Sequence, residues 1–257
     1  MKGLGATLYL ALAFAFIYLP VGALVLFSFQ EGGLPVPPFE RPSLRWYRDV
    51  LSDGDVVAAL RHSLVVASLS SAVAVVLGFL AAYGLARHAL PGSALIRGLL
   101  IAPLTVSYLI VGLGLLIVLQ RVGPGLSLWT AGIGHVVINL PLAFAILYAS
   151  MGPRAQSAER AARDLGASEA QVIWLVTVPM LRPAILAAFF LAVTLSWDEF
   201  IIAFLLTRFD ITLPVEIWSM LRSGLSPRLN AIGSVVFLVS ISVVIVAELF
   251  VFGRRQR

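Results

Sequence analysis

Residues 160–185 read RAARDLGASEAQVIWLVTVPMLRPAI, charged at one end and carrying two prolines at the other. Residues 156–165 are mostly helix formers, and Gly166 stands where a left-handed residue commonly ends a helix. Ser168 with Gln171 three residues on matches a capping box, in which each side chain satisfies a backbone donor. The pattern predicts helix, glycine turn, helix. Pro179 and Pro183 lack the N–H that continues a helix and crowd the preceding turn, so they are expected to punctuate the chain. The second short helix carries Val172, Ile173, Leu175, Val176 and Val178, too apolar for a segment left in water. Either the chain's own helices cover that surface or a partner protein accepts it in a groove.

The surrounding chain is 60% hydrophobic and 12% charged, against roughly a quarter charged in soluble domains. A span of the hydrocarbon core takes about 20 apolar residues. Six runs meet that need, at about 4–29, 63–86, 98–119, 128–151, 184–206 and 231–252. The expectation is an all-α polytopic membrane protein with six transmembrane helices in a single domain over 1–257. A first helix at 1–30 precedes a five-helix core at 58–252, which carries a cytoplasmic loop at 152–182. The first run exceeds the roughly 7–15 residues of a signal-peptide core and ends without a small-x-small site, so it is read as retained.

Cysteine is absent, which excludes disulfides, thiolate metal sites and thiol catalysis. The net charge of +5 forms no basic cluster beyond the tail GRRQR, so it reads as membrane orientation and not as a nucleic-acid surface. With the N terminus inside, Arg87 and Arg97 flank one short inner loop. Arg154, Arg160, Arg163 and Arg182 occupy the next, and Arg254, Arg255 and Arg257 close the chain. The positive-inside rule then puts both termini and the 152–182 loop in the cytoplasm. Two outer segments show helical spacing, Leu44, Tyr47 and Leu51 in one, and Val215, Trp218 and Leu221, stopped near Gly224, in the other. No long internal repeat is evident, unlike many secondary transporters.

Chemistry is scarce. A phosphate-cradling loop needs Gly-Lys-Ser/Thr, and the sole lysine is Lys2. His62, His88 and His135 are far apart, with no His-Glu-x-x-His or Gly-x-Ser-x-Gly pattern, so no catalytic residue and no metal ligand is assigned. His135 and Asn139 share a helix face and are expected to bond a neighbouring helix. Asp198 and Glu199 lie within an apolar run, where a carboxylate costs roughly 2.5–3.5 kcal/mol. They diverge by about 100° on a helix. Asp198 is read as facing the pathway, and Glu199 as facing a helix or a partner subunit. The alternative makes both carboxylates structural locks, paired with Arg182, Arg208 or another subunit. Trp197 offers a face to a cation, and Glu248 is placed to pair with Arg254.

The opening stretch resembles the cytoplasmic signature loop of binding-protein-dependent ABC importer permeases: Glu-Ala-Ala, three residues, Gly, nine residues, Ile, one residue, Leu-Pro. Ala161, Ala162, Gly166 and Pro179 hold their places, while Arg160 replaces the usual Glu, Val176 the Ile and Val178 the Leu. Glu159 stands one residue before Arg160. SLRWYRDVLSDGDVVAALRHSLVVA is similar to the family's entry to its second span, with His62 where an Asn is common. TLSWDEFIIAFLLT and LPVEIWSMLRSGLSPRLNAIGS resemble the spermidine/putrescine subgroup; APLTVSYLIVGLGLL resembles the third span, but Ser107 and Tyr108 stand where a Pro and an acidic residue are frequent, a departure that counts against the polyamine subgroup.

The resemblance implies a type I ABC importer permease fold in a bacterial inner membrane. ATPase coupling would run through Glu159, Arg160, Ala161, Ala162, Gly166, Ser168 and Pro179, and a substrate path would take in Asp198, Glu199, Trp197 and Tyr108. It further implies a separate ATPase dimer holding ATP and Mg, a second homologous permease and an extracytoplasmic solute-binding protein, set in membrane lipid, with no nucleic acid and no cofactor in this chain. An ion-driven transporter or channel using Asp198 and Glu199 is the competing class.

Overall fold

A computed structural model describes residues 2–123 and 125–252. Every regular element among them is a helix. In order these are α1 (Lys2–Ser28), α2 (Arg45–Ser52), α3 (Gly54–Arg87), α4 (Ser93–Ile101), α5 (Tyr108–Val122) and α6 (Leu128–Ser150). There follow α7 (Pro153–Asp164), α8 (Glu169–Val172), α9 (Val178–Trp197), α10 (Ile201–Leu206), α11 (Leu213–Ser223) and α12 (Pro227–Phe252). Five helices are long and apolar enough to cross a membrane, or six if the bent pair formed by Ser93–Thr105 and Tyr108–Val122 makes one span. The chain forms two compact units, Met1–Ala59 with Glu216–Ile241, and Leu60–Val215 with Ser242–Arg257.

In the first unit α1 is apolar all round, and no residue of its most apolar stretch is fully buried by the chain itself. A helix of that kind faces lipid or another apolar partner. Leu24 packs onto Gly233 of α12, where an added Cβ would fall 3.1 Å from its side chain. The turn after α1 is pinned to α2, with Ser28 Oγ 2.7 Å from Tyr47 Oη and the Trp46 indole donating to the Gln30 carbonyl at 2.7 Å. Arg228, in the first turn of α12, reaches both Asp49 at 3.2 Å and Asp53.

The second unit holds the main apolar core. Val75, Phe79, Ala82 and Tyr83 of α3 meet Ala143, Phe144 and Leu147 of α6, together with Leu181 and Ala188 of α9. Gly78 allows the closest crossing, since a Cβ there would lie 2.9 Å from the Phe144 nitrogen. A second cluster joins Ala131 and Ile138 of α6 to Ile202 and Leu206 of α10, with Tyr108, Val111 and Leu115 of α5 packed on it.

Three sequence expectations change here. The run at 98–119 is not one straight span, because its two halves meet at 107°. A 3₁₀ turn at Ala102–Thr105 carries Pro103, Val106 is extended, and Ser107 restarts the chain by accepting the Leu109 N–H at 3.3 Å. The run at 184–206 is likewise divided, stopping at Trp197 and resuming at Ile201. Pro179 and Pro183, by contrast, stop nothing. Pro179 falls in the first turn of α9, directly after a π-helical turn at Ile173–Thr177, and Pro183 lies within the continuous helix. A wider turn shifts the hydrogen-bond ladder, so a missing N–H in the following turn is tolerated. The predicted outer helices fall at α2 and α11, with Gly224 at φ 128° after the latter. Arg254, Arg255 and Arg257, and the proposed pairing of Glu248 with Arg254, lie outside the described residues.

Burial raises the Asp53 carboxyl, but the backbone N–H groups of Val56 and Asp55 and the Arg228 guanidinium more than offset this and hold it below its ordinary value. A carboxyl depressed on folding contributes stability above its unfolded pKa, and that contribution is lost as pH falls through the folded one. Both ion pairs are partly exposed, so Arg228→Met should cost only about 0.5–1 kcal/mol at pH 7. Thermal unfolding of the two proteins in detergent should differ at neutral pH and converge at an acid pH below the depressed folded pKa of Asp53. An equal gap at both pH values would remove Asp53 from the account.

Candidate functional site

The stretch that opened the sequence folds by local rules. Helix α7 ends in a pair of reverse bonds, Gly166 N–H to the Arg163 carbonyl at 2.9 Å and Ala167 N–H to the Ala162 carbonyl at 3.0 Å. That Schellman pattern needs a left-handed residue between them, and Gly166 supplies it at φ 87°. The capping box then starts α8, the Gln171 N–H reaching Ser168 Oγ at 3.4 Å and the Ser168 N–H reaching Gln171 Oε1 at 2.8 Å.

The two faces of this segment differ. Inward lie Ala155, Glu159, Val172 and Thr177, all buried. Arg160, Ala161, Ser168 and Pro179 are exposed and Ala162 is half-buried. Leu165 is 89% exposed, Trp174 70% and Leu175 71%, apolar side chains left uncovered in a segment that also carries the exposed Arg160. The chain therefore covers Val172 itself and leaves Trp174 and Leu175 uncovered.

Glu159 is placed within the chain and not among these exposed residues. The Arg87 guanidinium grips it with two bonds, Nε to Oε2 at 2.5 Å and Nη2 to Oε1 at 3.1 Å. Thr177 Oγ1 donates to Oε1 at 2.9 Å, and Arg87 Nη1 reaches the Met151 carbonyl at 3.2 Å. The Glu159 side chain is fully buried and that of Arg87 nearly so. A second contact lies beside it, where Arg163 grips Glu169 with two bonds of 2.9 Å and the Tyr83 hydroxyl donates to the same carboxylate. The hydrogen-bonded Glu169 carboxylate holds the Arg163 guanidinium even more firmly protonated than usual. Sequence reasoning missed Tyr83, Arg87 and Thr177. Their signal was an Arg closing a long apolar helix, with a Tyr one turn before it.

The divided fifth span holds the other candidate residues. Glu199 is buried and starts α10, accepting the N–H groups of Ile201 at 2.9 Å, Ile202 at 2.8 Å and Ala203 at 3.3 Å. Asp198 is exposed at the C-terminal end of α9. Trp197 is buried at 4% exposure, and Tyr108 is half-buried at the start of α5, against the cluster that includes Ile202. The break thus gathers Trp197, Asp198 and Glu199, with Tyr108 on the packing next to α10. His135 Nδ1 is 2.5 Å from Ser196 Oγ on α9, which lies 3.3 Å from Ser70 Oγ on α3. His135 Nε2 approaches Glu199 at 3.8 Å. Among the described residues neither Asp198 nor Glu199 forms an ion pair with Arg182 or Arg208. No group of three His, Asp or Glu side chains is gathered there to hold a metal ion.

The chain is all-helical and multi-pass, its glycine-turned helix pair leads into the candidate span Glu169–Trp197, and two carboxylates follow directly on the end of that span. Residues 74–256 match the family described as binding-protein-dependent transport system inner membrane component, and the chain belongs to that family of ABC importer permeases. It is 33% identical over 236 residues to the putrescine transport system permease protein PotI of Escherichia coli K12, covering 88% of this chain and 83% of PotI. It is 27% identical over 243 residues to the spermidine/putrescine transport system permease protein PotC of the same organism, covering 94% and 91%. The fold also matches a bacterial alginate ABC transporter solved in complex with an alginate pentasaccharide-bound periplasmic protein, at TM-score 0.74 and 16% identity, over 95% of this chain and 92% of that one.

Proline at 166 fixes φ near −65° and removes the N–H that bonds the Arg163 carbonyl. Gly166→Pro should open the helix–turn–helix locally, and trypsin should then cut at Arg160 and Arg163 roughly 5–30-fold faster, as a local loss of about 1–2 kcal/mol implies. Unchanged cutting would mean that the left-handed turn does not hold the segment.

Proposed function

We propose that this permease forms half of the translocation path of an ATP-driven importer for polyamines or a related small cationic solute. It couples to a separate ATPase dimer through the segment from Pro153 to Thr177. A second homologous permease completes the path, and an extracytoplasmic solute-binding protein delivers the solute. ATP and Mg belong to the ATPase, since the only lysine of this chain is Lys2. Both termini and the coupling segment lie on the cytoplasmic side of an inner membrane.

The observation that carries the coupling reading is the uncovered side chains of Leu165, Trp174 and Leu175 on an otherwise well-tied helical hairpin. Fully burying such side chains contributes about 1.5–3 kcal/mol each, enough for three of them to seat a partner. Arg160 adds an exposed positive charge to the same segment. When the ATPase dimer closes on ATP, displacement of the seated hairpin tilts the helices fixed to it, and the bundle passes between inward-facing and outward-facing states.

Support for a cationic solute comes from the putrescine and spermidine transport of PotI and PotC and from Asp198. A carboxylate at a helix C-terminus sits against the negative end of the helix dipole, an arrangement unfavourable by roughly 0.3–1 kcal/mol. Asp198 occupies that position, exposed and outside any ion pair among the described residues, so its charge is free to act on a solute. Glu199 instead serves the backbone of α10, and Trp197 and Tyr108 shape the walls.

The test is co-purification from native membranes followed by uptake of radiolabelled putrescine and spermidine into vesicles. An ATPase and a second permease should accompany the wild-type chain, and Trp174→Asp should lose the ATPase. Asp198→Asn should assemble normally and take up either polyamine about tenfold more slowly, the equivalent of about 1.4 kcal/mol. Equal loss of assembly and uptake would make Asp198 a structural residue, and a chain recovered without an ATPase would overturn the coupling reading.

A further inference from the structure

Tyr83 and Arg87 lie four residues apart, so they project from one face of the last turns of α3. Glu159 and Arg163 stand in the same relation on α7. The two pairs meet tooth to tooth. Arg87 holds Glu159, which also receives Thr177, while Tyr83 reaches Glu169 and Arg163. Arg87 in addition holds the Met151 carbonyl at the end of α6, the residue from which the chain turns into α7.

The Glu159 carboxylate is shut away from water, with one oxygen on Arg87 Nε and the other shared by Arg87 Nη2 and Thr177. Any movement that slides α7 along α3 strands this charge without partners, which is strongly opposed. A movement that carries both helices together breaks nothing. Covalent continuity ties the hairpin to α9 through a π-helical turn, a geometry frequent at functional sites.

We infer that α3 and the segment from Pro153 to Thr177 move as one body when the importer changes state, with Glu159 and Arg163 as the positioning residues that transmit the displacement. This rests on the coupling reading above and adds which transmembrane helix receives the motion. Arg160 is exposed and forms no ion pair among the described residues, so it has no part in the linkage.

The chain has no cysteine, so spin labels can be placed at will. The experiment uses the whole importer in nanodiscs, its other chains freed of cysteine, with labels at Ser157→Cys on α7 and Leu69→Cys on α3. Leu69 is exposed, and about 27 Å of helix separates it from Arg87, within reach of pulsed dipolar spectroscopy. A control pair, Leu69→Cys against a label on the companion permease, reports that the importer has switched. Between the nucleotide-free and vanadate-trapped states the control distance should shift and the Ser157–Leu69 distance should not. In the double variant Glu159→Gln, Arg163→Gln the ATPase should still co-purify, and the Ser157–Leu69 distance should now shift on trapping. Exchanging the charges, Arg87→Glu with Glu159→Arg, should restore the unshifted distance.

A Ser157–Leu69 shift in the wild-type importer overturns the inference, as does a double variant that stays unshifted. If the variants fail to accumulate, the wild-type pair alone decides. An ATPase that co-purifies beside a shifting wild-type pair removes this inference and spares the coupling reading. The absence of both an ATPase and any shift on trapping removes both.

Discussion

A peptide group that enters hydrocarbon must bring its hydrogen-bond partner with it. A straight helix does so automatically, and this chain departs from straight helices at several places in its apolar runs. Each departure carries its own repair. At the first, Ser107 accepts the Leu109 N–H as α5 restarts. At the second, Glu199 takes three N–H groups of α10. The far end of α10 is satisfied from α6, where Thr130 Oγ1 donates to the Leu206 carbonyl at 2.7 Å and the Ser127 N–H reaches the same oxygen at 3.1 Å. The short helix α10 therefore exists because both of its ends are capped by side chains or backbone that the fold brings to it.

How much of this the sequence disclosed follows from how far apart the partners lie. Gly166, Ser168 and Gln171 are near neighbours, so the turn and capping box were readable directly, as were α2 and α11 from their apolar spacing. The divided spans were not, because an apolar run gives the same signal whether or not it bends. Glu is not among the usual N-cap residues, so Glu199 announced charge and not a helix start. Pro179 misled for a related reason: the π-helical turn that accommodates it is set by packing around Val172 and Thr177. The partners Arg87 and Glu159 are separated by 72 residues, and only the α3–α6 crossing at Gly78 and its surrounding core bring such distant ends together.

The same distinction bears on Arg160 and Glu159. Arg160 stands where the family pattern has Glu, and Glu159 precedes it by one residue. The structure separates them by face. Glu159 is turned inward and fully occupied by Arg87 and Thr177, so it has nothing left for a surface partner. Arg160 is exposed, in the same segment as the uncovered Leu165. Adjacent residues on one helix can thus belong to different jobs, one fastening the hairpin to its own bundle and the other marking its outer surface.

Asp198 and Glu199 show that logic inside the membrane, where it has more consequence. Both carry the insertion cost of a carboxylate in an apolar run. Glu199 recovers it by starting a helix, and removing its charge would leave three N–H groups of α10 worse served. Asp198 recovers nothing of that kind: it ends α9 among carbonyl oxygens, where a negative charge is disfavoured, and it is exposed. Adjacent acids thus meet the same cost in opposite ways: Glu199 is taken up by the backbone that begins α10, while Asp198, one residue earlier, ends α9 with its carboxylate exposed.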